Sequence, residues 1–83
     1  YLDSPMAINA THILHNHIDA LRLTKEDCRE LCEIATYIQT PEESAQLDIH
    51  KTPKIIISAS GMATGGRILF HLRAYAPDSR NTI

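Results

Sequence analysis

Ten consecutive residues, Ser58-Ala59-Ser60-Gly61-Met62-Ala63-Thr64-Gly65-Gly66-Arg67, combine the groups that hold an anion without help from a metal. They are glycines that let the backbone approach closely, the hydroxyls of Ser58, Ser60 and Thr64, and the guanidinium fork of Arg67. The stretch is not a dinucleotide fingerprint, because Gly61, Gly65 and Gly66 have the wrong spacing for GxGxxG. Nor is it a nucleotide-hydrolysing P-loop: Arg67 stands where the lysine is needed, and Ile68 replaces the hydroxyl that binds magnesium. Two readings of the residues remain open, a loop that grips a phosphate and a tight turn whose glycines only permit close packing.

Three other groupings carry chemistry-bearing side chains. Asp3-Ser4-Pro5 is a helix-start signal, with Ser4 as the cap, and a second place where an anion could dock. His15-Asn16-His17-Ile18-Asp19 mimics part of a zinc signature, but Ala20 stands where a further histidine is required. These residues are expected to be polar groups at a helix end. Cys28 and Cys32, spaced i,i+4, are expected to fill core space rather than to bind metal. His71 has no nucleophile identifiably poised for it to activate and is expected to be packed or solvated.

The elements that must position these residues are legible in part. Ile55-Ile56-Ile57 reads as a short buried strand running into the loop, and an amphipathic helix follows from Gly65 or Arg67 to about Tyr75, with Ile68, Leu69, Leu72 and Tyr75 as its apolar stripe. Upstream, Tyr1-Leu2 reads as the tail of a strand, and Met6, Ala10, Ile13 and Leu14 share one face of a helix. Thr24 with Asp27 forms a capping box before a helix whose apolar face is Cys28, Leu31, Cys32 and Ala35. The segment around Ala35 to Gln39 suggests a strand, Thr40-Pro41 starts a helix to about Leu47, and Thr82 suggests a further strand. Strands alternating with helices predict an α/β fold, a Rossmann-like parallel sheet with flanking helices. In such sheets ligands gather at the carboxyl ends of strands, which places the Asp3-Ser4 and Ser58–Arg67 loops at one site.

With 83 residues, 43% hydrophobic and 22% charged, the chain has the composition of one small globular domain with a thin core. It is read as a piece of a longer protein. No apolar run is long enough to span a bilayer, no membrane association is expected, and a cytoplasmic location is the default expectation. Net charge is −2, so bulk electrostatics do not announce a nucleic-acid partner. The distribution is uneven: residues 51–83 carry Lys51, Lys54, Arg67, Arg73 and Arg80 against Asp78 alone, which suits a phosphate-binding face as well as an ordinary solvated one.

Taken together, YLDSPMAINAT (1–11), YIQTPEES (37–44) and PKIIISASGMATGGRILFHLRAYAPDSRNTI (53–83) resemble the β-CASP region of RNA-processing nucleases with the metallo-β-lactamase fold. The resemblance implies a partial β-CASP domain over residues 1–83 whose parent also carries a metallo-β-lactamase domain. That domain would hold two zinc ions and hydrolyse RNA phosphodiesters. By similarity, Ser58, Ser60, Gly61 and Met62 lie in the loop that faces RNA phosphates, with Thr64, Gly65 and Gly66 continuing it. Asp3 and Ser4 match the facing loop, and Arg67 ends the GGR motif. The zinc motif HxHxDH is not among these residues, so the implied role is RNA binding and substrate clamping, with no catalytic residue, metal or cofactor here. A homodimer of the parent is kept open. The alternatives are a small α/β domain that binds a nucleotide phosphate and a non-catalytic interaction domain.

Overall fold

Three threonine or serine caps decide where helices begin. Ser4 accepts a hydrogen bond from the Ala7 N–H at 3.3 Å, and Pro5, which has no N–H to lose, opens α1 (Pro5–Asn16). Thr24 and Asp27 cap each other reciprocally at the start of α2 (Lys25–Glu33), and Thr40 and Glu43 do the same for α3 (Pro41–Ile49). The fourth helix, α4 (Ile68–Tyr75), has no side-chain cap. These elements come from a computed structural model that describes residues 1–83.

The sheet is parallel and small. Strand β1 (Leu2–Asp3) pairs with β2 (Ile57–Ser58) in the register Leu2 with Ile57 and Asp3 with Ser58. On the other side of β1, the strand expected near residues 35–39 is reduced to one parallel bridge between Leu2 and Tyr37. Its two bonds run from the Leu2 N–H to the Thr36 carbonyl, 2.9 Å, and from the Ile38 N–H to the Leu2 carbonyl, 3.0 Å. β1 is therefore the central line of a parallel arrangement, as the α/β pattern predicts, and its carboxyl end sits beside that of β2. No regular element forms at Thr82.

Only 9 of 83 residues are buried, and four of those are polar: Asp3, Ser4, Ser44 and His71. The interior is thus held by a polar network as much as by Leu2, Ile8, Cys28, Ile38 and Leu47. Ile55 and Ile57 are exposed, contrary to the buried strand their composition suggests. An apolar run encodes a wish to be covered, and β1 pairs along one edge of β2 without covering its faces. The radius of gyration, 14.6 Å, exceeds the roughly 12 Å of a compact chain this long, consistent with an elongated body of 43 × 24 × 21 Å. No helix is long and apolar enough to cross a membrane.

Candidate phosphate-facing loop and its buried support

The carboxyl end of β1 delivers Asp3 to the middle of the molecule, where its side chain is inaccessible. Removing a carboxylate from water is costly unless donors replace the lost solvent. Three donors converge on it. Ser44 Oγ, from α3, donates to Oδ2 at 2.5 Å; His71 Nε2, from α4, meets the same oxygen at 2.8 Å; and an Arg67 guanidinium nitrogen donates to Oδ1 at 2.5 Å. His71 Nδ1 faces Asp48 Oδ1 at 2.7 Å, so the ring bridges two carboxylates and can donate to both only with both nitrogens protonated. No buried side-chain nitrogen or oxygen lacks a partner.

Arg67 also donates to two main-chain carbonyls, Ile38 at 3.2 Å and Gln39 at 3.0 Å. It thereby ties the start of α4 to β1 and to the segment before α3. The expectation that Asp3, Ser4 and Arg67 face RNA is corrected on this geometry. Asp3 is enclosed and negatively charged, Ser4 is buried and spends its oxygen on the α1 cap, and Arg67 spends its fork inward. They set the loop's position instead. His71, placed by its sequence pattern off the apolar stripe, is the buried residue of α4, while Phe70 is largely exposed.

The loop itself leaves β2 at Ser58 and turns through Gly61, Met62 and Ala63 in a run of left-handed backbone, φ +46°, +51° and +55°. Glycine tolerates that region, whereas Met62 and Ala63 each pay of order 1 kcal/mol. Gly66, at φ +79°, then allows the chain to enter α4. Within this path the backbone N–H groups of Ser60, Gly61 and Met62, and again of Gly65, Gly66 and Arg67, have no acceptor in the chain. Ser60 is exposed with its hydroxyl unpaired, Ser58 is half-buried, and Thr64 is corrected as a donor because its hydroxyl already donates to the Gly61 carbonyl at 2.9 Å. No acid lies between Asp48 and Asp78 in the sequence.

The basic C-terminal third is less available than its composition suggests. Lys54 donates to the Leu47 carbonyl at 2.7 Å and to the His50 carbonyl, satisfying the end of α3. Lys51 reaches the Ala74 carbonyl at 3.0 Å and lies over the Tyr75 ring, and Arg80 pairs with Asp78. The partial zinc signature does not converge. His15 turns to Cys28 and Cys32, whereas His17 Nδ1 lies 2.9 Å from the Ile13 carbonyl. These residues do not fit the two-zinc centre of a hydrolase, and no catalytic step is assigned to them.

The Asp3 cluster makes stability depend on acid. Burial alone would raise the Asp3 pKa, but the hydrogen bonds from Ser44, Arg67 and His71 and the Arg67 charge outweigh it and hold the carboxyl below its usual range. A depressed carboxylate contributes stability that is fully present above the unfolded value of about 3.9 and is lost as pH falls through the folded value. Urea midpoints measured from neutral to strongly acidic pH are expected to hold steady and then decline below about pH 4. An Asp3→Asn variant should lack that part of the decline; an identical acid limb in both proteins would remove Asp3 as its source.

Comparison with known proteins gives the chain a family. A family model, that of the Beta-Casp domain, matches residues 1–83. A curated relative, the transcription termination factor FttA of Methanosarcina mazei, is 32% identical over 89 aligned residues, which cover 100% of this chain and 14% of that protein. The chain thus spans a small fraction of the length of that relative. No solved structure matches. On the match along its whole length, the chain belongs to the Beta-Casp domain family.

Proposed function

We propose that the loop from Ser58 to Arg67 grips an RNA backbone phosphate and that this chain is the substrate-clamping part of a zinc-dependent ribonuclease. The observation that carries this reading is the pair of unpaired N–H runs, Ser60 to Met62 and Gly65 to Arg67, in a segment with no acid nearby in sequence. Main-chain donors flanking an uncapped helix start are an anion-binding arrangement. The hydroxyls of Ser58 and Ser60 add donors, while Asp3, Ser44, His71 and Arg67 hold the loop against β1 and α3. The strained Met62 and Ala63 fit a loop whose shape is kept for binding. The Beta-Casp family membership supports RNA as the polymer, with cleavage assigned to two zinc ions in a metallo-β-lactamase domain of the same protein.

A phosphate grip reads charge and not base identity. For the protein that carries this chain, RNA affinity is expected to fall linearly with salt on logarithmic axes and to vary little with base sequence at fixed length. Affinity indifferent to salt would contradict the proposal. Competition by a mononucleotide as effective as the RNA itself would instead identify a nucleotide-binding domain.

A further inference from the structure

We propose that His15, Cys28 and Cys32 bind one zinc ion, which clasps α1 to α2. His15 Nδ1 lies 3.8 Å from Cys28 Sγ and 3.9 Å from Cys32 Sγ, and the three donor atoms all lie within 4.8 Å of one another. Tetrahedral zinc with bonds of about 2.3 Å to sulfur and about 2.0–2.1 Å to nitrogen needs sulfur–nitrogen separations of about 3.6 Å and a sulfur–sulfur separation of about 3.8 Å. The sulfur–nitrogen distances exceed that by only about 0.2–0.3 Å, within the reach of small side-chain rotations.

The alternative use of these groups is thiol hydrogen bonding, which fits poorly. A neutral imidazole offers one lone pair, so Nδ1 can accept from one thiol at a time, yet both sulfurs crowd it. A metal ion uses both sulfurs and the nitrogen together. Two thiolates and an imidazole form a soft to borderline set that selects zinc over magnesium, calcium or manganese. His15 is exposed and Cys32 half-buried, which provides an entry path, while Cys28 anchors the cluster at 0% exposure. His15 and Cys32 also border a pocket of about 150 Å³ shared with Thr11, His12, Asn16 and Tyr37, with room for a fourth ligand, water or the His12 ring.

The consequence is structural. α1 and α2 are joined through the short 3₁₀ turn Ile18–Ala20, and a metal linking them adds a constraint that the thin apolar core lacks.

Cobalt reports the ligands directly, because thiolate coordination produces a charge-transfer absorption that nitrogen and oxygen ligands do not. The reduced chain is titrated with Co²⁺ and then with Zn²⁺. The expected result is a charge-transfer band that saturates at one ion per chain and is displaced by zinc. Zinc should also raise the thermal midpoint. In Cys32→Ser and in His15→Asn, metal affinity is expected to fall by about 100-fold or more, since losing a ligand costs at least as much as losing the outer-shell partner of one. Both residues lie away from full burial, so far-ultraviolet circular dichroism should remain that of the parent chain. Absence of the band, or a band of equal strength and affinity in Cys32→Ser, would overturn the proposal.

Discussion

Replacing Asp3 by alanine is expected to cost about 3–5 kcal/mol of stability, the usual result of removing one partner from a buried charged cluster. A chain of 83 residues has roughly 4–12 kcal/mol in total at ordinary stability per residue, so this single change should remove about a quarter of it or more. The loss has a definite anatomy. Arg67 keeps its two carbonyl acceptors but loses its counter-charge, His71 keeps Asp48 on one nitrogen and is left unpartnered on the other, and Ser44 loses its acceptor inside α3. Asp3→Asn preserves volume yet should be nearly as damaging, because an amide presents an NH₂ to donors that need an oxygen. Ser44→Ala removes one hydrogen bond to a buried carboxylate that keeps its Arg67 and His71 donors, and should cost less, about 1.5–3 kcal/mol. Urea unfolding followed by circular dichroism measures all three. An Asp3→Ala loss no larger than that of Ser44→Ala would show that Asp3 is not the point on which the fold closes.

This cluster was the least legible part of the sequence. Helix starts could be read because the signal is local: Ser4-Pro5, Thr24 with Asp27, and Thr40-Pro41 with Glu43 satisfy N–H groups within the same turn. The parallel arrangement followed from strands alternating with helices, and the register of Asp3 with Ser58 then put the two loops at one end of the sheet. Nothing local announces that Asp3 will meet His71, 68 residues away. Helical periodicity places His71 off the apolar stripe and leaves it packed or solvated, and only the approach of α3 and β1 turns it inward. The same gap separates composition from cover at Ile55 and Ile57, apolar residues before and on a strand whose faces this chain leaves open.

Charge counted along the sequence differs from charge available at the surface for a related reason. Lys51, Lys54, Arg67 and Arg80 look like a basic face when counted, but each has an acceptor: carbonyls at the ends of α3 and α4, Asp3, and Asp78. The proposed phosphate grip therefore rests on main-chain N–H groups rather than on side-chain cations. His15 and the two cysteines show the converse. Each group looked inert alone, and the packing of α1 on α2 brings three ligand atoms together. A histidine near the end of one helix and an i,i+4 cysteine pair on the apolar face of the next was the available signal.

If the Ser58–Arg67 loop holds RNA by its backbone, as proposed, a single charge placed there tests it. Ser60 is exposed and its side chain makes no hydrogen bond, so Ser60→Asp should leave the fold intact. A carboxylate about 4 Å from a phosphate near a protein surface is repelled by up to about 4 kcal/mol before salt screening. Even a third of that is roughly a tenfold loss of affinity. Gln46→Glu adds the same charge on the exposed side of α3 and controls for net charge. RNA affinity of the protein carrying this chain should be measured for both variants by fluorescence anisotropy. The expected result is a loss of about tenfold or more for Ser60→Asp with little change for Gln46→Glu; wild-type affinity in Ser60→Asp, or an equal loss in both, would contradict it.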